Sequence, residues 1–78
     1  MARIRLFAAA RDAAGTARDE LPGDTVGEVL AIARERYGST FDAVLTSCRV
    51  WVNGEPVGLH DAISATDELA VLPPVSGG

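Results

Sequence analysis

The sequence predicts an α+β roll, a mixed sheet of about five strands with one main helix packed on one of its faces. Short apolar segments with a period of two residues lie near both ends of the chain, and such segments are typical of strands. A longer segment between them has the spacing of a helix. Because the chain has only 78 residues, these elements must share the core of one small domain.

The first two strands are predicted within residues 4–21. Ile4, Leu6 and Ala8 recur at every second position, which is typical of a strand with one buried face. A short turn or helical piece over residues 10–15 then leads to a second, more polar strand over residues 16–21. We therefore expect a hairpin with a loop of several residues.

The main helix has the clearest local signals. Thr25 and Glu28 have the spacing of a capping box, with Thr25 as the N-cap. Gly38 stands where a left-handed C-terminal cap is expected, and residues 41–45 are predicted to form a further helical turn. The residues that share the apolar face of the main helix are Val26, Val29, Leu30, Ala33 and Tyr37.

The second half of the chain predicts three more strands. Residues 49–52 form the third, and Asn53–Gly54 is a strong signal for a two-residue hairpin turn. The fourth strand is expected over residues 55–59, and its proline confines it to an edge of the sheet. The last strand, residues 68–72, runs directly into the C-terminal segment.

The C-terminal segment predicts a tail that enters another protein. The chain divides into a domain over residues 1–72 and a flexible tail over residues 73–78. Two prolines stiffen the base of this tail, and two glycines make its tip narrow enough for a channel that would exclude any Cβ. We expect Gly78 to carry a free α-carboxylate that an extended tail projects by up to about 20 Å.

Composition limits the partners and the compartment. A net charge of −4 argues against nucleic acid and anionic membranes and favours a basic partner surface. The N-terminal apolar run is too short for a signal peptide, and no run is long enough to span a membrane. Cys48 is the single cysteine and has no partner for an internal disulfide. We therefore expect a cytoplasmic protein.

The domain itself contains no evident catalytic set or metal site. His60 is the only histidine, and a solvated loop is the preferred interpretation of His60 and Asp61 over an acid–base pair. Cys48 is interpreted as a reduced, half-buried filler, with a persulfide carrier as the alternative. Any chemistry at the tail is therefore expected to depend on groups of partner proteins.

Three apolar side chains are expected on the uncovered face of the sheet. If the alternating neighbours of Phe7, Trp51 and Leu72 face the helix, these three side chains face away from it. An exposed apolar patch usually marks an interaction site, although loops that cover the patch are the alternative. Arg11 is expected near this face, either paired with a partner carboxylate or merely solvated.

Two motifs resemble one protein family. Leu6-Phe7-Ala8 followed by Arg11-Asp12-Ala13-Ala14-Gly15, and the ending Leu72-Pro73-Pro74-Val75-Ser76-Gly77-Gly78, are similar to the MoaD family, the small subunit of molybdopterin synthase. Val52-Asn53-Gly54-Glu55 is also family-like but less specific. The resemblance covers essentially the whole chain and implies the ubiquitin-like β-grasp fold. The chain departs from the family pattern at residues 64–67, where glycine is common, and at Trp51, where a smaller residue is common.

The resemblance implies a sulfur carrier without a bound cofactor of its own. A ubiquitin-activating-like enzyme would use ATP to adenylate the carboxylate of Gly78, and a sulfur donor would convert it to a thiocarboxylate. The large synthase subunit, in a heterotetramer, would then receive the tail and use the sulfur to build molybdopterin. Gly77 and Gly78 carry the chemistry, and the residues expected to bind partners are Phe7, Arg11, Trp51, Leu72, Pro73, Pro74, Val75 and Ser76.

Other functions share the same tail. β-Grasp carriers that serve thiamine or cysteine synthesis, and protein modifiers attached through Gly78, would need the same ending. A plain binding module that uses the open sheet face, with incidental glycines, belongs to a different class. The residues themselves leave these alternatives open, whereas residues 11–15 and the two tail prolines favour the molybdopterin branch through the resemblance.

Overall fold

The structure, a computed structural model, describes residues 1–74. Within that range the chain forms five strands and three helices. The elements are β1 (Ala2–Leu6), α1 (Ala8–Ala14), β2 (Arg18–Leu21), α2 (Val26–Tyr37), α3 (Ser39–Leu45), β3 (Arg49–Val52), β4 (Glu55–Pro56) and β5 (Glu68–Leu72). In the same range, no helix is long and apolar enough to cross a membrane.

The strands form one mixed sheet in the order β2-β1-β5-β3-β4. The central strands β1 and β5 run parallel, with Ile4 opposite Leu69 and Leu6 opposite Val71. The remaining neighbours pair antiparallel. The first and last strands of the chain are therefore adjacent at the middle of the sheet, and the predicted α+β roll is confirmed.

The core lies between one face of this sheet and the helices. Leu69 and Val71 from β5 are fully buried, as are Val29 from α2 and Phe41 from α3. The α3 ring of Phe41 also packs edge-on against Tyr37, with ring centroids 5.1 Å apart. Because all three helices supply buried residues, each helps to cover the same face. Among residues 1–74, no helix lies over the opposite face of the sheet.

The predicted start of the main helix is confirmed. Thr25 Oγ1 accepts a hydrogen bond from the Glu28 backbone N–H at 3.2 Å, as an N-cap should. The Glu28 carboxylate accepts in return from the backbone N–H of Asp24 at 3.1 Å, one residue earlier than in a standard capping box. Three residues of local sequence therefore determine where α2 begins.

The turn after β3 also follows its prediction and links two strands. Asn53 and Gly54 have φ values of 51° and 84°, as a type I′ hairpin requires. The Asn53 amide donates to Asp67 at 2.9 Å, and its carbonyl oxygen accepts from the Glu68 backbone N–H at 3.1 Å. The asparagine thus ties the hairpin to the start of β5.

Several predicted boundaries are wrong. Strand β1 ends at Leu6, because Ala8 has a φ of 49° that turns the chain into α1, and Ala8 is exposed rather than buried. The fourth strand is limited to Glu55–Pro56. One further hydrogen bond joins the Val57 N–H to the Val50 carbonyl oxygen at 3.3 Å, and the chain then turns at Gly58, whose carbonyl oxygen accepts from the Asp61 N–H. Gly38 has the expected positive φ of 91° but a ψ of −172°, because α3 begins at the next residue.

Candidate functional site

The uncovered face of the sheet contains a shallow apolar groove beside the base of the tail. Phe7, Trp51 and Leu72 lie around this groove, so the predicted clustering of the three side chains is observed. Pro73 and Pro74 extend its wall, which places the first tail residues in the same surface. Among residues 1–74, the lining residues are Phe7, Arg49, Trp51, Gly54, Ala70, Leu72, Pro73 and Pro74.

The register of the strands explains why these side chains share a face. Val50 and Val52 pack against the core, so Trp51 between them must point to the opposite face. Trp51 lies opposite Ala70 on β5, and Arg49 lies opposite Leu72. The small side chain of Ala70 leaves open space at the centre of the sheet, and the larger side chains around it form the walls of the groove.

Phe7 joins the groove from the end of β1. Its backbone N–H donates to Val71 O at 3.3 Å, which extends the contact between β1 and β5 by one residue. Its carbonyl accepts from the N–H groups of Ala10 and Arg11 at 3.0 and 3.3 Å, so Phe7 is also the N-cap residue of α1. The aromatic ring is therefore held at a junction with fixed backbone on both sides.

The tail leaves the sheet at the groove. β5 is a central strand whose buried residues Leu69 and Val71 anchor it in the core, and the chain passes directly from Leu72 to the two prolines. The predictions for Val75, Ser76, Gly77 and Gly78 lie outside the described residues. The part of the chain that is described therefore provides a rigid base, with an apolar surface next to the point where the tail begins.

Arginine side chains border the apolar surface. The Arg5 guanidinium carbon lies 5.1 Å from the centroid of the Phe7 ring, within the range of a cation–π contact. Arg49 lines the groove on the side of β3. Arg11, predicted as a partner contact, does not line the groove; its Nε lies 3.7 Å from Asp12 Oδ1 in an exposed ion pair on α1. The role of Arg11 stays a prediction.

The single cysteine is not placed for nucleophilic chemistry. Cys48 is half-buried, and its thiol donates to the Val44 carbonyl oxygen at 3.3 Å. Burial raises the pKa of the Cys48 thiol above its usual range, which disfavours the reactive thiolate at neutral pH. Within residues 1–74, no group of three or more histidine, cysteine, aspartate or glutamate side chains is arranged to hold a metal ion.

Arg5, Arg49 and Ala70 are site residues that the sequence analysis did not single out. Arg5 and Arg49 occupy alternate positions next to Phe7 and Trp51, so the same period of two that placed those aromatic residues would also have placed the arginines. Ala70 has no such signal, because its importance comes from its position opposite Trp51 on a distant strand.

Comparisons with known proteins agree with this geometry. Residues 4–78 match the ThiS family. A molybdopterin synthase sulfur carrier subunit from Pyrenophora tritici-repentis is 41% identical over 81 residues, which cover 96% of this chain and 87% of that protein. The solution structure of small archaeal modifier protein 1 from Methanosarcina acetivorans has a TM-score of 0.88 at 30% identity, covering 99% of this chain and 95% of that one.

A third relative is known from a complex. A chain in the crystal structure of the Amycolatopsis orientalis BexX/CysO complex has a TM-score of 0.84 and 25% identity, with 100% of both chains covered. The β-grasp fold and the resemblance to the MoaD family are thus confirmed. The chain belongs to the ThiS family and is of the ThiS/MoaD sulfur-carrier type.

Proposed function

We propose that this chain is the small subunit of a molybdopterin synthase, and that it carries sulfur as a thiocarboxylate on Gly78. The observation that carries this proposal is the apolar groove formed by Phe7, Trp51 and Leu72 at the base of a Gly-Gly tail. The similarity to a molybdopterin synthase sulfur carrier subunit supports the choice of pathway.

The chemistry requires activation of the tail by another protein. A carboxylate resists nucleophiles because it is anionic, so the Gly78 carboxylate would first attack the α-phosphate of ATP and release pyrophosphate. The resulting acyl adenylate has AMP as a good leaving group. Sulfide-level sulfur from a donor would displace AMP and leave the thiocarboxylate. Its sulfur would bond to a carbon of the pterin precursor on the large subunit, and water would then cleave the bond between this sulfur and the Gly78 carbonyl carbon, which restores the carboxylate.

The domain would supply recognition rather than catalysis. The groove offers large apolar and aromatic side chains, which are the residues that most often anchor protein interfaces. Burial raises the pKa of the Cys48 thiol, and the side chain packs against the core, so it is poorly suited to accept or pass on sulfur. Docking of the rigid face would therefore position the tail, and the partner would provide the reacting groups.

A second candidate keeps the tail chemistry but changes the recipient. The similarity to small archaeal modifier protein 1 favours attachment of Gly78 to other proteins, and the similarity to CysO favours a carrier for a different sulfur pathway. The relative solved in the BexX/CysO complex supports a protein partner in either case. Reconstitution with a large synthase subunit, compared with cell extract proteins as acceptors, separates these candidates.

The proposed role of the tail is tested by three changes at its tip. The purified chain would be incubated with activating enzyme, ATP, a sulfur donor and the large subunit. Deletion of Gly78, replacement of Gly77 by tryptophan, or addition of one residue after Gly78 should each abolish sulfur transfer. Each should leave the melting temperature nearly unchanged, because the tail lies beyond the last core residue, Val71.

The controls separate a failed tail from a failed fold. Glu35→Gln, an exposed change on α2, should transfer sulfur at the wild-type rate. Full sulfur transfer by the chain extended beyond Gly78 would contradict a thiocarboxylate on Gly78. A wild-type chain that binds a partner but transfers no sulfur would favour a plain binding module. A large loss of melting temperature on deletion of Gly78 would contradict the assignment of the tail as a separate arm.

A further inference from the structure

Two arginines face each other on the uncovered side of the sheet without an acid between them. Arg5 on β1 and Arg18 on β2 are direct partners in the antiparallel register. Side chains at such positions lie on the same face, with Cβ atoms about 4.5–5.5 Å apart, and like charges placed this way destabilise a sheet. The repulsion between the two arginines would fall if a carboxylate of another molecule bound between them.

The neighbouring acids neutralise this pair only in part. Glu68 lies 3.8 Å from Arg5, at the outer limit of an ion pair, and both side chains are about two-fifths exposed. Asp19 faces the helix side, where Tyr37 and Arg36 donate to its carboxylate. Within residues 1–74, the Arg18 guanidinium makes no ion pair and donates no hydrogen bond, which leaves its donors free for another molecule.

The charge of this face is opposite to that of the chain. Strand residues that point away from the helices include four arginines, Arg3, Arg5, Arg18 and Arg49. They include only two acids, Glu20 and Glu68. The whole chain carries a net charge of −4, so its acidic character belongs to the remaining surface. The basic partner surface expected from the net charge therefore does not suit this face.

The paired arginines adjoin the apolar groove. The Arg5 guanidinium lies over the ring of Phe7, and this ring is itself a wall of the groove. Phe7 therefore contacts Arg5 of the pair and lines the groove at the same time. The contact with the ring holds the Arg5 guanidinium beside the groove, where one of its terminal nitrogens also lies 3.8 Å from Glu68. A protein seated in the groove would therefore bring its adjacent surface over Arg5 and Arg18.

We propose that Arg5 and Arg18 form a docking site for carboxylates of the partner protein that occupies the apolar groove. This inference rests on the proposed function, which names that partner as the large subunit of molybdopterin synthase. The partner would carry aspartate or glutamate side chains beside an apolar segment. The arginines would steer the encounter and fix the orientation, while the groove supplies most of the affinity.

A protein surface fits this patch better than a nucleic acid does. Glu20 and Glu68 lie among the arginines, and they would repel the regular row of phosphates along a polynucleotide. Among residues 1–74, the aromatic side chains that line the adjoining groove are Trp51 on β3 and Phe7 just after β1, and β5 separates these two strands, which gives no continuous platform for stacked bases.

The test compares two arginine variants that change the net charge equally. Arg18→Gln removes a charge from the patch, whereas Arg34→Gln removes one from α2, where Arg34 pairs with Asp42 at 2.9 Å. The dissociation constant and association rate with the purified large subunit would be measured at about 50 mM and about 500 mM salt. Arg18→Gln should weaken binding roughly two- to fivefold at the low salt concentration, mainly through the association rate.

The comparison with Arg34→Gln and with the high salt concentration shows whether a weaker complex is due to the charge of Arg18. The difference between Arg18→Gln and the wild type should nearly vanish at the high salt concentration, and Arg34→Gln should bind like the wild type at both. Charge reversal by Arg18→Glu should weaken low-salt binding further than Arg18→Gln. Equal binding by Arg18→Gln and Arg34→Gln at the low salt concentration would overturn the proposal.

Two further measurements, of RNA binding and of sulfur transfer, separate the docking site from the alternatives. Binding of a labelled single-stranded RNA that Arg18→Gln abolishes would reassign the patch to nucleic acid and overturn the proposal. Arg18-dependent binding of the large subunit without sulfur transfer would support the docking site and count against the proposed function alone. Absence of any wild-type complex with the large subunit would overturn both.

Discussion

Trp51 and Ala70 lie directly opposite each other in the ladder between β3 and β5, so the largest side chain of the uncovered face has a methyl group as its neighbour. This pairing creates the space at the centre of the groove. Phe7 and Leu72 border the same space from the side of the tail. The shape of the candidate docking surface therefore depends on one small residue as much as on the large ones.

Filling that space should block docking without unfolding the domain. We expect Ala70→Leu to weaken the complex with the large subunit by about tenfold or more, because the added atoms occupy the volume that a partner side chain would fill. Ala70→Ser, which leaves the space open, is the matched control. Isothermal titration calorimetry with both variants checks this, and wild-type affinity for a folded Ala70→Leu protein would contradict it.

Truncation of the groove should separate binding from stability. Phe7→Ala or Leu72→Ala should weaken partner binding by roughly 1–3 kcal/mol, as expected for interface anchors. Leu30→Ala, at a residue that is only 2% exposed, should instead lower the free energy of unfolding by roughly 2–5 kcal/mol. Urea unfolding and binding measurements on all three variants check this. If Phe7→Ala unfolds the domain and Leu30→Ala does not, the two faces are assigned the wrong way round.

The cysteine should be dispensable for sulfur transfer. Serine at position 48 can still donate to the Val44 carbonyl, which lies 3.3 Å from the sulfur, so Cys48→Ser should fold with a penalty of about 1–2 kcal/mol at most. The reconstituted assay should then show wild-type transfer. A well-folded Cys48→Ser protein that transfers no sulfur would move the carrier from the tail to a persulfide on the domain.

The pH dependence of stability should reflect Asp19. The hydrogen bond donated by the Tyr37 hydroxyl, 2.7 Å away, is the main cause that lowers the pKa of Asp19 below its ordinary value of 3.8. Because the pKa is lower in the folded state, this contribution to stability is present above the ordinary value and is lost as the pH falls through the folded value.

Tyr37→Phe isolates that contribution, because it keeps the ring that packs edge-on against Phe41. We expect it to lower the free energy of unfolding at pH 7 by about 1.5 kcal/mol, the low end of the range for a hydrogen bond to a charged group. The difference from the wild type should narrow as the pH falls below the ordinary pKa of Asp19. Urea titrations across the acid range check this, and a difference that widens towards acid would refute the assignment.

Local sequence rules predicted the parts of the fold that depend on neighbouring residues. Thr25 caps α2 and Asn53–Gly54 forms the turn, since both structures need only a few consecutive residues. The N-terminal boundary failed because Ile4, Leu6 and Ala8 satisfy a strand period, while Ala10, Ala13 and Ala14 also have helical spacing. The positive φ of Ala8, which separates the two, has no signal in an alanine.

The groove was predictable, as was the face on which Arg5 and Arg49 lie, but the pairing of Arg5 with Arg18 was not. Successive side chains of a strand point to opposite faces of the sheet, and this alternation placed Phe7, Trp51 and Leu72 on one face. Their clustering followed from the pairing of β5 with both β1 and β3. The pairing of Arg5 with Arg18 depends on the register of a hairpin, which the sequence leaves undetermined when the loop is long. The net charge of −4 is a sum over the whole chain, so it gave no sign that the uncovered face of the sheet carries more arginines than acids.

The mass of the intact chain tests the central claim most directly. After incubation with the activating enzyme, ATP and a sulfur donor, mass spectrometry should show a gain equal to the difference between sulfur and oxygen, about 16 Da, located on the C-terminal peptide. The chain that lacks Gly78 should show no gain. An unchanged mass for the wild-type chain, or a gain located on the peptide that contains Cys48, would contradict the account.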